Sequence, residues 1–453
     1  MKTLIKLIFI IAVSSSVLSQ SSWEPLYVNH NQYIKDVKFL DPNIGYISLA
    51  RTPNGDWPRV LKTTDKGSNW TQIWCENYDF FPAIDFINES VGFVYVGNAV
   101  KKTIDGGNSW TTKLTTSQNC EWPKIKFVNS QTGYALFNKG WNPSGLTIYK
   151  STNNGESWFV PDPSYNNFNN NVYYTRESDI DFSSFDNNEI CITGYTYSPG
   201  GWGSDVLKSN DGLISSYNNQ EHLTSSPNSP SLSYVRFIYD QNNPNDNWRF
   251  AGERGIYKYY NQFYATLISP DWFNAQYGLS FTNYNLGFCA GTGGIYITTN
   301  SGYNWTNEYS NGSILTESRM QSFGEVCYIG GANGNFLFRK IPMSLHTNCD
   351  WQWDVFNGHI IVDGETYGTP GLNIPLRGGT ANLSIPENER YIIENNDTTK
   401  QFYYWGNSIN QSMNYQNAGQ YFIYSGGNIN ADYKSKLNTN TATALKSRHS
   451  LKH

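Results

Sequence analysis

Four octapeptides in this chain place an Asp or Asn, a Gly and a Trp at one fixed spacing. They are Thr63–Trp70, Thr103–Trp110, Ser151–Trp158 and Thr298–Trp305, with the shared pattern [ST]-x-[DN]-x-G-x-[SN]-W. The recurring positions are Asp65, Gly67 and Trp70; Asp105, Gly107 and Trp110; Asn153, Gly155 and Trp158; and Asn300, Gly302 and Trp305. Paired carboxylates are the working groups of glycoside hydrolysis, so a recurring aspartate invites a catalytic reading. The neighbouring residues argue for a turn instead. An Asp or Asn oxygen accepts hydrogen bonds from turn amides, Gly takes a positive φ, and Trp packs back onto the apolar side. These boxes are read as turn staples.

Other residues could act on a sugar. Arg59, Arg176, Arg254 and Arg319 could grip a carboxylate, and Glu76, Asp79, Glu177 and Asp179 lie near them in loop-like stretches. Two such acids at the right separation would suffice for hydrolysis, but solvated loop carboxylates are the expectation. The six His are scattered and no CxxC is present, so neither a metal nor a cofactor is expected. No Gly-rich phosphate loop, Ser-His-Asp signature or calcium loop stands out.

The elements that must carry these residues repeat as well. An apolar-x-Phe run is followed, after a polar turn, by a Gly-aromatic run. Instances are Val37–Phe39 with Gly45–Tyr46, Ile84–Phe86 with Gly92–Phe93, and Ile125–Phe127 with Gly133–Tyr134. Looser copies end at Phe182, Phe237, Phe281 and Phe323, which makes seven copies at intervals of about 41 to 55 residues. A period of 40 to 50 residues with four strand-like runs indicates a β-propeller. Trp23–Leu26 resembles the strand that begins at each box Trp, yet no box precedes it, and the last copy has three strands and no box. The segment from Trp23 is therefore expected to supply the outer strand of the seventh blade, closing an open sheet edge.

The boxes resemble the Asp-box, or BNR repeat, of the sialidase-like propellers, where it joins the third and fourth strands of a blade. The Phe-turn-Gly-Tyr pattern joined to such a box resembles the propellers of photosystem II assembly factors and their exported bacterial relatives. The resemblance covers about residues 23–343 and speaks to architecture more than to activity. The Arg-Ile-Pro start motif of sialidases is missing from the first blade; Phe338-Arg339-Lys340-Ile341-Pro342 imitates it in the wrong blade, with a Lys inserted. The resemblance implies that ligands meet the face opposite the boxes. Trp57, Trp141 and Trp202 are expected there in loops between second and third strands, and Trp74, Trp122 and Trp272 in loops between blades. Such rings stack on sugars or anchor a protein partner. Cys75 and Cys120 are expected in successive blade-joining loops of that face, within reach of a disulfide. Cys191, Cys289 and Cys327 lie in apolar runs and read as buried thiols.

Beyond Cys349 the period is lost. Tyr404-Trp405-Gly406-Asn407 followed by Ala418-Gly419-Gln420-Tyr421 resembles small immunoglobulin-like modules of exported Bacteroidetes proteins. The chain thus divides into a signal peptide (1–19), a seven-bladed propeller (20–343), an immunoglobulin-like β-sandwich (344–428) and a disordered polar tail (429–453). Lys2 and Lys6, the apolar run Leu7–Val13, and Val17 and Ser19 before Gln20 compose a secretory signal cleaved near Ser19. No later run is long enough to span a membrane as a helix.

Composition agrees. Aromatic residues make up 16% of the chain and charged residues 15%, a balance that suits strands and tight turns rather than helices. A net charge of −5 without basic clusters argues against nucleic acid as partner. The expectation is an all-β, secreted, monomeric binding propeller for a protein or glycan; the alternative is a secreted glycoside hydrolase on the same scaffold.

Overall fold

Each apolar-x-Phe run is the first strand of an antiparallel meander. The computed structural model describes residues 23–437 apart from interruptions, the longest being 162–174, 210–219, 222–231, 239–247, 269–277, 311–318, 350–357 and 408–417. Among the described residues seven sheets precede residue 340. Blade 1 comprises Ile34–Phe39, Gly45–Leu49, Arg59–Thr63 and Thr71–Cys75. Blade 2 has Ala83–Phe86, one bent strand Gly92–Thr103, and Thr111–Cys120. Blade 3 has Lys124–Phe127, Gly133–Asn138 and Leu146–Ser151. Blades 4, 5 and 6 begin with Thr175–Phe182, Leu232–Phe237 and Gly278–Phe281. Blade 7 has Arg319–Phe323, Val326–Gly330 and Asn335–Arg339, and its outer strand is Trp23–Tyr27, paired from Trp23↔Arg339 to Tyr27↔Asn335. The N-terminal segment closes the ring as its sequence implies. The first strands touch in sequence around the circle, including the last step from blade 7 back to blade 1. The protein is an all-β propeller.

The repeated aromatics explain the circle. Phe39, Phe86, Phe127 and Phe281 pair across the hairpin with Gly45, Gly92, Gly133 and Gly287. Any side chain on those glycines would collide with the phenyl ring opposite. The Phe ring is thereby free to stack on the aromatic of the preceding blade. Tyr46 stacks on Phe86 with centroids 3.5 Å apart, Phe93 on Phe127 at 4.2 Å, and Tyr328 of blade 7 on Phe39 of blade 1 at 3.9 Å. One contact type repeated between blades, the closing pair included, is a packing solution that a ring of like sheets can reuse.

The boxes sit at one end of the blades. In the first, Thr63 Oγ1 accepts from Gly67 N at 3.0 Å and Asp65 Oδ1 accepts from Asn69 N at 2.8 Å. The same two bonds recur at Thr103/Asp105, Ser151/Asn153 and Thr298/Asn300. Gly67, Gly107, Gly155 and Gly302 have φ of 83°, 100°, 70° and 91°, the left-handed region that favours glycine. The four Trp rings stand edge-on against the blade phenylalanines, as Trp110 does on Phe86 at 6.4 Å and 90°.

Two further sheets follow. Ile341–Cys349 begins a five-stranded sheet immediately after blade 7, and a four-stranded sheet carries His359–Val362 and Gly379–Ser384. Leu345 and Ile429 of one sheet and Ile360 and Leu383 of the other share one apolar cluster, which continues into Phe39 and Phe336 of the propeller. Two boundaries differ from the sequence reading. The sandwich begins at Ile341, because its first strand runs straight on from the last blade strand. Gly427–Leu437, of which all residues from 429 onward were expected to belong to a disordered tail, form a strand inside the sheet, parallel to Met343–Cys349. Its polar side chains hid a strand whose inward positions, Ile429 and Ala431, are completely buried. Residues 438–453 and residues 1–22, where a signal peptide is expected, lie outside the described residues. Among the described residues no helix is long and apolar enough to cross a membrane.

Candidate functional site at the channel mouth

A first strand pairs with its own blade along one edge, leaves the other edge toward the axis, and sends alternate side chains toward the blades on either side. The middle positions of the apolar-x-Phe runs carry opposite charges in turn: Lys38, Asp85, Lys126, Asp181 and Arg236 in blades 1 to 5. Lys38 pairs with Asp85 at 2.6 Å, Lys126 with Asp181, and Arg236 with Asp179. Ser280 and Ser322 share a hydrogen bond of 2.8 Å, and Gln321 clasps both backbone groups of Phe39. Side chains thus join blade 1 to 2, 3 to 4, 4 to 5, 6 to 7 and 7 to 1 around the channel.

The aspartates also cap the amides that a first strand offers its neighbour. Asp36 Oδ2 accepts from Ile84 N at 3.2 Å, Asp85 Oδ2 from Phe127 N at 2.6 Å, and Asp181 Oδ2 from Phe237 N at 2.8 Å. Buried amides require such partners. Lys124 Nζ stands between two carboxylates, 3.8 Å from Asp36 and 3.6 Å from Asp179. Burial would raise the Asp179 carboxyl, but Arg236, Lys124 and Lys126 outweigh it and hold the group well below the usual carboxylate range. Asp179 is a fixed anion. A general acid needs the opposite shift.

The channel opens away from the boxes between the starts of the first strands. There the ammonium of Lys35 lies 4.0 Å from the centre of the Phe81 ring, 5.7 Å from Trp122 and 5.6 Å from Tyr33. Phe81 and Trp122 meet at 5.1 Å, tilted by 48°. On the far side Arg319 donates to Tyr234 Oη at 2.6 Å and packs over its ring. The mouth is a polar hollow with aromatic walls.

The expected ligand-face tryptophans divide. Trp57 occupies the loop between the second and third strands of blade 1 and is 47% exposed. Trp122 lies at the mouth between blades 2 and 3. Trp74 does not face solvent: it belongs to the fourth strand of blade 1, is 4% exposed, and packs with Val60, Ile84 and Val96 between blades 1 and 2. Its indole donates to Glu76 at 3.0 Å. The backbone of Trp202 pairs with Tyr197 in a hairpin of blade 4, its side chain being outside the described residues, as are Trp141 and Trp272 altogether.

The disulfide expectation is corrected. Cys75 and Cys120 are both thiols. Each ends the outer strand of its own blade, and Cys120 is fully buried with Sγ directed toward the Leu136 carbonyl of blade 3, at 3.9 Å. Cys191, Cys289 and Cys327 are buried thiols as expected.

Of the candidate catalytic residues, Arg319 and Asp179 come together at the mouth. Arg59 binds Gln72 on the blade, and Glu76 is held by Lys101. Arg176 and Glu177 lie in the first strand of blade 4 with undescribed side chains; Asp79 and Arg254 lie outside the described residues. Sequence reasoning missed Lys35, Tyr33, Phe81 and Lys124. The alternating charges at the middle position of the apolar-x-Phe runs were the available signal for the channel. Among the described residues no cluster of three or more His, Cys, Asp or Glu could hold a metal ion.

No family model and no curated protein matches the chain. Solved structures similar to it include YCF48 bound to D1 peptide, at 17% identity over 71% of this chain and 98% of that one, with a TM-score of 0.47. The extracellular domain of BT4673 from B. thetaiotaomicron is 11% identical over 81% of this chain and 51% of that one, with a TM-score of 0.48. The GH74 enzyme of Niastella koreensis is 14% identical over 82% of this chain and 75% of that one, with a TM-score of 0.31.

Proposed function

We propose that this chain is an exported, non-enzymatic binding propeller that takes a protein or glycan on the face opposite its Asp-box hairpins. The observation that carries the reading is the channel mouth. Aromatic rings converge there around Lys35, while Asp36, Asp85, Asp179 and Asp181 beneath them are engaged with lysines, arginine and blade amides. Carboxylates so engaged suit a rigid binding surface better than acid–base chemistry. The other end of blades 1 and 7 is occupied by the sandwich: Arg377 reaches Glu24, Lys66 reaches Asp363, and Asn43 exchanges hydrogen bonds with Thr380. That arrangement leaves the mouth face for a ligand. The sandwich, read as an immunoglobulin-like module, serves as a spacer or second contact. The basic, apolar and small residues before Gln20 support export, with the mature chain a monomer. A glycan array combined with hydrolysis assays on the mature protein tests this reading: binding without turnover is expected, and turnover of any glycan would overturn it in favour of a hydrolase.

A further inference from the structure

Resting on that reading, the build of the mouth decides between its two kinds of ligand. Two contacts there skip a blade. Lys124 of blade 3 stands 3.8 Å from Asp36 of blade 1 as well as 3.6 Å from Asp179 of blade 4. Arg319 of blade 7 donates to Tyr234 Oη of blade 5 at 2.6 Å. Side chains that reach past a blade cross the channel rather than line it. Asp36, Lys124, Asp179 and Arg319 border both the hollow at the mouth and the cavity beneath it. They form a floor. A hollow with a floor receives the end of a ligand, where an open groove would receive its middle.

Size and wall suit one sugar. The hollow measures about 40 Å³, room for roughly three waters at about 10–15 Å³ each. The hydroxyls along one edge of a sugar ring can take their places. Lys35 is 8% exposed, with its ammonium 4.0 Å from the centre of the Phe81 ring, and Phe81 and Trp122 meet at 5.1 Å. A cation held against the rings braces them before a ligand arrives, so little entropy is lost in ordering them.

The chemistry of the floor separates glycan from protein. Lys124 has two carboxylates, Arg319 has the Tyr234 hydroxyl and ring, and Lys35 has its rings. An ionic ligand would have to draw each of them from a partner within the chain, so exchange gains little. An apolar protein side chain would cover these charges without bonding to them, and the cores of protein interfaces are depleted of Lys and Asp. Sugar hydroxyls avoid both costs. Each donates and accepts, and paired ammonium, guanidinium and carboxylate groups keep protons and lone pairs to spare.

We propose that the mouth takes the terminal residue of an uncharged glycan, stacked on Phe81 and Trp122 with its hydroxyls on the floor of Asp36, Lys124, Asp179 and Arg319. Titration calorimetry on the full mature chain tests this with β-1,4-linked gluco-, galacto-, manno- and xylo-oligosaccharides as trisaccharide and hexasaccharide, with trigalacturonate, and with a mixed peptide library. At least one neutral series should bind, its two lengths within about twofold of each other and almost indifferent to salt. Trp122→Ala should lower that affinity at least about tenfold, and Trp122→Phe, which keeps a ring, should restore most of it. Unchanged thermal unfolding would show that both variants fold. Affinity that climbs steeply from trisaccharide to hexasaccharide would overturn end-on binding, and tighter binding of trigalacturonate than of any neutral sugar would overturn the uncharged class. Peptide binding that Trp122→Ala abolishes, with no sugar bound, would overturn the glycan inference and leave the binding face standing. Binding of any probe that is indifferent to Trp122→Ala would overturn the mouth as the site and the reading beneath it. Failure of every neutral series to bind would overturn the inference.

Discussion

The two ends of the same blades use similar residues for opposite purposes. At the box end, Asp65 and Asp105 spend their oxygens on turn amides, and Trp70 and Trp110 lean edge-on against phenylalanines. At the mouth end, Trp57 stands in solvent and Trp122 faces Lys35 across a hollow. Residue type alone does not separate a structural tryptophan from a binding one. What separates them is whether a neighbour fills the space in front of the ring.

Substitutions can sharpen or break this contrast. The largest stability effect is expected from Trp74→Ala, which empties a buried site between blades 1 and 2: about 3–5 kcal/mol in denaturant unfolding, with affinity of the folded protein unchanged. Trp110→Ala should behave alike at about 3 kcal/mol. A loss of ligand affinity without destabilisation at either position would contradict the division. Asp85→Ala comes next, at about 2–3 kcal/mol, because it strands Lys38 and leaves the Phe127 amide without its acceptor.

Acid should act on the box end as well as on the ion pairs of Asp179 at the mouth. Hydrogen bonds from the Ser109 hydroxyl and amide and from Thr103 bring Asp105 down to about 2, and Lys102 and Lys113 bring Glu156 to about 2. Folded-state values depressed in this way contribute stability that is present above the ordinary values of 3.8 and 4.5 and is lost as pH falls toward 2. Thermal unfolding midpoints should therefore be level above about pH 5 and decline below it. Asp105→Asn, the residue two other boxes use, should remove part of that decline; an unchanged pH profile would refute the assignment. The smallest stability effect belongs to Trp57→Ala, within about 0.5 kcal/mol of the parent. A larger loss would show that Trp57 packs rather than binds.

Much of the propeller was legible beforehand because its contacts are repetitive. A Phe opposite a Gly in blades 1, 2, 3 and 6, and a Gly and Trp in each box, recur at a period that the eye can find. The closing strand from Trp23 was legible for the same reason, as a part missing from the last copy and spare at the start. The strand Gly427–Leu437 was not, since two inward side chains among polar ones give almost no periodic signal. Nor was the burial of Trp74: a fourth strand and the loop after it read alike when both are polar. The expected bridge between Cys75 and Cys120 assumed that adjacent loops bring their residues together, whereas Cys120 ends its strand facing the next blade.

By itself, then, the sequence determined the all-β class, the repeat and the box turns, because each depends on bonds between residues a few positions apart. Only the tertiary structure decided which aspartates staple blades, which cations gather at the mouth, and which tryptophans remain exposed. Asp179 meets Arg236 and Lys124 across blade boundaries, 57 and 55 positions away in the chain. Such partners become neighbours only when the ring closes, and closure, not local pattern, sets the charge and shape of the face open to a ligand.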